Sequence, residues 1–122
     1  MSAINDSILD STKAALGIVP EYDHFDGQLI LYINTAFSTL WQIGLGPQTG
    51  FAITGHKETW NEYLNNNKLL NMVKTYVHMS VRLMFDPPTS SFALDAMKKS
   101  VDEYLWRINV MVDPTVITGE ET

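Results

Sequence analysis

Apolar residues recur every three or four positions in three long segments of the chain. Such spacing places them on one face of an α-helix, whereas an alternating pattern would indicate a strand. The pattern predicts three long amphipathic helices, at about residues 23–43, 68–85 and 90–112. Their inward faces supply the expected core, namely Phe25, Leu29, Ile33, Phe37, Val73, Val77, Leu94, Val101 and Leu105.

Residues that start or stop helices separate these segments. Asp23 has the side chain of a helix N-cap, and Gly44-x-Gly46-Pro47 ends the helix that follows it. Asp86-Pro87-Pro88 ends the next helix, because a proline disfavours helical geometry in the residue before it. Thr89-Ser90-Ser91 then offers three capping side chains for the last long helix.

Two shorter helices complete the predicted fold. One spans residues 5–16 and the other begins near Trp60. We therefore expect an all-α fold, a small helical bundle of three long and two short helices with a long glycine-rich loop and an extended C-terminal tail. Residues 1–112 form the helical domain and residues 113–122 form the tail.

The glycine-rich loop spans residues 44–57 and contains four glycines and one proline. Phe51 and Ile53 lie among its polar residues, and exposed apolar side chains on a loop are candidate contacts for a partner. The alternative is that both side chains pack back onto the bundle. We expect the loop to be mobile in the free monomer and ordered in an assembly.

The composition excludes several classes of function. The net charge is −6, with 8 Lys and Arg residues against 14 Asp and Glu residues, which argues against a phosphate-binding surface. There are no cysteines, so disulfides and cysteine-based metal sites are excluded. The sequence has no signal-peptide pattern and no apolar run of about 20 residues, so we expect a protein made in the cytoplasm without membrane contact.

No group of residues has the spacing of a catalytic or metal site. His24, His56 and His78 are scattered, no Gly-x-Ser-x-Gly motif is present, and the glycines of the loop do not match a phosphate-binding loop. We therefore predict no catalytic residue, no metal site and no cofactor. An enzyme is the least favoured class of function.

Lys74, His78 and Arg82 follow one another at intervals of four residues, which predicts a basic stripe along one helix. The stripe has three interpretations. It is a solvated face, with Arg82 paired to Asp86; it contacts an acidic neighbouring subunit; or, least favoured in an acidic chain, it contacts DNA.

Several short motifs occur in an order that resembles the head–tail connector (adaptor, or head completion) proteins of tailed bacteriophages. They are His24-Phe25-Asp26, Ile33-Asn34, Gly44-x-Gly46-Pro47, Gly50-Phe51, Trp60, Val73-Lys74-Thr75-Tyr76, Arg82-Leu83-Met84-Phe85-Asp86-Pro87-Pro88-Thr89-Ser90-Ser91-Phe92 and Trp106-Arg107-Ile108-Asn109. The resemblance covers about residues 5–112 and is most specific in the run from Arg82 to Phe92.

The resemblance implies a structural protein of the virion neck, made in the cytoplasm of the host bacterium. Proteins of this family form a ring, usually of twelve copies, beneath the portal protein. The ring extends the channel through which DNA is packaged and ejected, without binding DNA specifically, and it docks a stopper or tail-completion protein. The alternative class of function is a small helical regulatory module that binds a protein or peptide partner.

The tail lies outside this resemblance. Pro114 ends the last helix, and Thr115-Val116-Ile117-Thr118 is a β-branched run in a chain otherwise built from helix formers. We expect this run to act as an assembly arm that adds as a strand to a sheet edge on the portal or on an adjacent subunit. The alternative is an inert tail.

Overall fold

A computed structural model describes residues 6–64 and 68–113 of the chain. In these residues there are five helices, α1 (Ile8–Ala15), α2 (Asp26–Gln42), α3 (Trp60–Tyr63), α4 (Leu70–Phe85) and α5 (Ser91–Val112). The prediction of three long and two short helices is confirmed. None of these helices is both long enough and apolar enough to span a membrane.

The core lies mainly between α2 and α4, and α1 packs against both of them. The largest side chain in it is that of Trp60, which is fully buried although it lies on the shortest helix. Its indole Nε1–H donates to Ser11 Oγ at 2.8 Å. The buried apolar residues are Ile8, Leu9, Leu29, Ile33, Ala36, Phe37, Leu40, Leu45, Ile53, Trp60, Tyr63, Leu64, Leu69, Val73, Tyr76, Val77, Val81 and Ile108.

The predicted core is confirmed for α4 and, except for the partly buried Phe25, for α2, but not for α5. Leu29, Ile33, Phe37, Val73 and Val77 are all buried. By contrast, α5 packs mainly against α4, so its inner residues Val101 and Leu105 stay partly exposed and Leu94 lies outside the core cluster.

Side-chain caps start three of the helices. Ser7 and Ser90 accept backbone N–H groups at the starts of α1 and α5. Thr59 and Glu62 form a capping box at α3, in which each side chain accepts the other residue's backbone N–H. These bonds satisfy N–H groups that the first turn of a helix leaves without partners.

The predicted cap at Asp23 is wrong. Helix α2 begins at Asp26, and Phe25 occupies the cap position without a side-chain hydrogen bond. Asp23 contributes its backbone carbonyl instead, which accepts the N–H of Asp26 at 3.2 Å and closes a turn before the helix. Asp26 remains in the first turn, where a carboxylate interacts favourably with the helix dipole.

Helix α2 ends in a Schellman motif. Gly44 has a φ of 95°, its N–H donates to Trp41 O at 2.9 Å, and the N–H of Leu45 donates to Leu40 O at 3.0 Å. Leu45 is buried after this turn. The motif directs the glycine-rich loop back across α2, as the next section describes.

The start of α1 and the segment before α3 are paired. Ile8 N donates to Glu58 O at 3.0 Å and Trp60 N donates to Asp6 O at 3.1 Å, on either side of an antiparallel bridge between Ser7 and Thr59. This pairing fixes the end of the glycine-rich loop against α1. It is the only extended pairing in the described part of the chain.

Candidate assembly surface

The glycine-rich loop is held to α2 by the side chain of Asn34. Asn34 Oδ1 accepts the N–H of Ile53 at 2.7 Å, and Asn34 Nδ2 donates to Ile53 O at 3.0 Å. The side chain of Ile53 is only 1% exposed. The prediction of Ile53 as an exposed contact is therefore wrong, because Asn34 pairs with both backbone groups of this residue and its side chain lies in the core.

Phe51 also packs on the bundle. Its ring lies 5.4 Å from that of Phe37 and 5.1 Å from that of Tyr63, measured between centroids. Gly46 lies directly against Tyr63, where a Cβ atom would come within 2.8 Å of the ring. Of the two interpretations of Phe51 and Ile53, the structure shows packing on the protein's own bundle, and these contacts oppose the expected mobility of the loop.

The end of the loop is held by Glu58. Its carboxylate accepts the backbone N–H and the hydroxyl of Thr54 at 3.0 and 2.8 Å, and the N–H of Gly55 at 3.3 Å. Partial desolvation raises the pKa of this carboxyl, but the hydrogen bonds from Thr54 and Gly55 outweigh it, so the net pKa is lowered. The turn presents His56 toward α1 and α2.

His56 bridges two carboxylates that belong to different helices. Its Nδ1 lies 2.5 Å from Asp10 Oδ1 in α1, and its Nε2 lies 3.1 Å from Asp26 Oδ2 in α2. The hydrogen bond to Asp10 is the main cause that raises the pKa of His56. A protonated imidazole donates from both nitrogens, so the cation fits this bridge better than the neutral ring.

Lys13 lies on the other side of Asp26 and is fully buried. Its ammonium donates to Pro20 O at 2.9 Å and faces Asp26 Oδ1 as an ion pair at 2.7 Å. Asp10, Lys13, Asp26 and His56 therefore form one alternating cluster of charges, the His56 cluster, which joins α1, α2 and the loop. Sequence reasoning missed the cluster because its members are up to 46 residues apart and no local pattern connects them.

The predicted basic stripe on α4 is not continuous. His78 is largely buried and its ring packs against that of Trp60, with centroids 5.8 Å apart. Burial, together with the nearby charge of Lys74, lowers the pKa of His78 to about 4, so this residue is neutral at pH 7. The Lys74 ammonium lies 5.8 Å from the centroid of the Trp60 ring.

Arg82 is the exposed member of that set, and its Nε donates to the backbone carbonyl of Asp86 at 3.1 Å. The expected partner was correct, but the contact is with the backbone of Asp86. Lys74 and Arg82 therefore do not form one basic stripe, because Lys74 lies near Trp60 and Arg82 bonds to Asp86.

The other predicted contact residues, Thr115, Val116, Ile117 and Thr118, lie outside the described residues.

Three of the eight large apolar side chains that are exposed in the described residues lie on α5, more than on any other helix. Phe92 is 86% exposed and Trp106 is 53% exposed, and both lie on the helix face that points away from α4. Only Ile108 of this 22-residue helix is buried. Trp41, on α2, is also 50% exposed, so of the three tryptophans only Trp60 is buried in the core.

Trp41 separates two shallow grooves where α2 meets the loop. The first has a volume of about 320 Å³ and is bounded by Asn34, Trp41 and the segment 49–52. The second has a volume of about 290 Å³ and lies between Trp41 and the loop residues 44–48. In the described parts of the chain, no cluster of three His, Asp or Glu residues could hold a metal ion.

The comparisons with known proteins identify the family. The family model described as "Phage connector protein" matches residues 8–115, from the first residue of α1 to beyond the end of α5. This chain belongs to the phage connector protein family. Searches of curated proteins and of solved structures found no match.

Membership of this family confirms the resemblance noted from the sequence and indicates a structural role in the phage neck. The match includes all five helices found in the described residues of this connector protein, together with the His56 cluster and the exposed face of α5. It ends at residue 115, so most of the tail lies beyond it. The surfaces described above are therefore those of a phage connector protein.

Proposed function

We propose that this connector protein forms a homo-oligomeric ring of twelve copies beneath the portal protein in the virion neck. The ring continues the DNA channel and docks a stopper or tail-completion protein. The number of copies and the two neighbours come from the resemblance noted above. The structural observation that supports assembly is the exposure of α5.

Helix α5 has more apolar surface than its own subunit covers. It packs mainly on α4, its outer face carries Phe92 and Trp106, and Met111 near its end is also exposed. Aromatic and methionine side chains are enriched where proteins contact one another. In a closed ring, each contact joins two different surfaces, one from each of the two neighbouring copies. The outer face of α5 is one such surface, and its partner is another copy of the chain.

The charge of the protein suits a channel that DNA passes through. A net charge of −6 gives phosphates no general attraction to the subunit. Of the three cationic positions predicted on α4, His78 is neutral at pH 7, so no continuous basic track runs along that helix. DNA therefore moves through the lumen without a specific binding site.

The test is to purify the protein with and without the portal protein from the same genome and to image both samples by electron microscopy. We expect a twelve-fold ring attached to the portal. The double variant Phe92→Ser/Trp106→Ser should keep the helical circular dichroism spectrum and lose the ring, because both side chains are exposed. Ser100→Ala, at another exposed position of α5, is the control and should assemble normally.

A protein that stays monomeric and does not bind the portal would contradict the proposal. So would a double variant that assembles as well as the control, because the contact surface would then lie elsewhere on the subunit.

A further inference from the structure

The surface around Trp41 combines apolar grooves with an unpaired stretch of backbone. The indole is held in place, since its Nε1–H donates to Gln48 O at 3.0 Å. Trp41 lines the first groove together with Phe37 and Phe51. Within the described part of the chain, the backbone groups of Phe51 and Ala52 make no hydrogen bond. An extended peptide that pairs with this backbone would also place side chains in the groove.

The end of α5 lies beside this surface. A Cβ atom on Gly44 would lie 3.3 Å from Val112 Cγ1, and Gly44 borders the second groove. The chain therefore leaves α5 at the rim of the grooves. Four extended residues span about 13 Å, so residues 115–118 can reach Trp41 from Val112 within the same molecule.

We propose that Thr115–Thr118 of the same chain lies as an extended strand along Gly50–Ala52 in the free subunit. One of the two apolar side chains, Val116 or Ile117, fills the groove against Trp41 and Phe51. Adjacent side chains of a strand point to opposite sides, so the other faces away from the groove. The short connection to α5 favours the segment of the same chain over that of a second copy. It gives the segment a high effective concentration near the groove, which a second copy matches only when the protein is concentrated.

This inference does not depend on the ring. It concerns the free subunit, in which the segment covers apolar surface that would otherwise contact solvent. If the tail also serves as an assembly arm, it must leave this groove before it contacts a neighbour, and binding to the neighbour then competes with binding to the groove.

The absence of natural cysteines allows a direct test. Ala52 is exposed and borders the groove, so Ala52→Cys is combined with Val116→Cys in one variant and with Ile117→Cys in another. The control pairs replace Ala52→Cys with Ser100→Cys, on an exposed part of α5 about 18 Å from Val112 along the helix axis. Circular dichroism checks the fold of each variant before oxidation at low protein concentration.

We expect at least one Ala52 pair to form a disulfide within the monomer at least ten times faster than its control pair. Cross-linked dimers as the main product would overturn the proposal, because the groove would then hold the segment of another copy. Equal rates for the Ala52 and Ser100 pairs would overturn it as well, because the segment would then have no preferred site.

Discussion

At the scale of single residues, two of the three histidines, His56 and His78, affect the stability of the fold in opposite pH ranges. His56 lies between two carboxylates, and the hydrogen bond to Asp10 in particular raises its pKa. Its contribution to stability is therefore complete below about pH 6.5, the value in the unfolded chain, and is lost as pH rises through the raised value. His78 is desolvated and has a pKa of about 4. As pH falls, this histidine is therefore protonated in the unfolded chain before it is protonated in the folded one, and the folded protein loses stability.

The first prediction concerns stability below pH 6.5. Between pH 6.5 and 4 the neutral His78 should cost the folded protein up to about 3 kcal/mol relative to neutral pH. His78→Phe should remove most of this loss, since Nε2 of His78 has no hydrogen-bond partner among the described residues. The measurement is the free energy of unfolding by urea at each pH. The stability that Glu58 contributes is lost only below pH 4.5, the ordinary pKa of this group. The range from pH 6.5 to 5 therefore isolates the effect of the histidine.

His56→Gln is the matched comparison for that series. It should leave the acid-side slope unchanged and remove the decline in stability on the alkaline side of pH 6.5. If, below pH 6.5, the free energy of unfolding of His78→Phe fell with pH as steeply as that of the unchanged protein, His78 would not be the group responsible.

Gly46 gives a second prediction at this scale. It has a φ of 94°, and an added Cβ would lie 2.8 Å from the Tyr63 ring, which is itself buried. Gly46→Ala should therefore lower the free energy of unfolding by about 2 kcal/mol or more, from backbone strain and from displacement of the ring. Gly27→Ala is the control, because its Cβ meets nothing within 4 Å and α2 has no strained backbone there. It should raise the stability by up to about 1 kcal/mol.

Chemical denaturation of both variants tests the pair. If Gly46→Ala were as stable as Gly27→Ala, Tyr63 would move aside freely, and the contact between Gly46 and Tyr63 would not constrain the loop.

At the scale of elements, the helices could be predicted from the sequence because each is specified by its own residues. The apolar spacing and the prolines at residues 87–88 place α4 and α5 within a residue or two. The path of the loop could not be predicted, because Asn34 and Ile53 are 19 residues apart and neither belongs to a periodic pattern. The start of α2 was misplaced for a related reason, since a local turn used the backbone of Asp23 while its side chain stayed exposed.

The difference between α4 and α5 gives the third prediction. Val77 is fully buried, whereas Leu105 keeps some exposure, although the sequence pattern assigns both to the core. Val77→Asp should cost about 4 kcal/mol or more, because an unpaired charge would be buried. Leu105→Asp should cost only about 1–2 kcal/mol, because the carboxylate can reach solvent. Thermal unfolding followed by circular dichroism distinguishes them, and equal losses would mean that the face of α5 is better covered than the structure indicates.

At the scale of the whole molecule, the described residues divide into a tightly joined part and a loosely joined one. Helices α1, α2 and α4, together with the loop, share the core, and the His56 cluster also joins α1, α2 and the loop. Helix α5 joins them mainly through α4. A subunit of this kind can keep its fold while α5 and the chain beyond it contact neighbours, which is the arrangement that the proposed ring requires.

The fourth prediction concerns the tail. Deletion of residues 113–122 should leave the helical circular dichroism spectrum unchanged, since the five helices lie between residues 8 and 112. It should weaken attachment to the portal or to the neighbouring subunit, because the β-branched run at 115–118 would be lost. Co-sedimentation with the portal protein measures the effect. A truncated protein that assembles as readily as the full chain would mean that the tail is inert.

The three tryptophans give the protein a set of internal optical reporters. Trp60 is fully buried, whereas Trp41 and Trp106 are each about half exposed, on α2 and on the outer face of α5. Indole emission shifts to shorter wavelength when the ring leaves water, so association through α5 would shift the emission of Trp106, and loss of the fold would shift that of Trp60 in the opposite direction. Single Trp→Phe replacements would assign each change. One emission spectrum, recorded during a titration with the portal protein, could therefore separate assembly from unfolding without an attached dye.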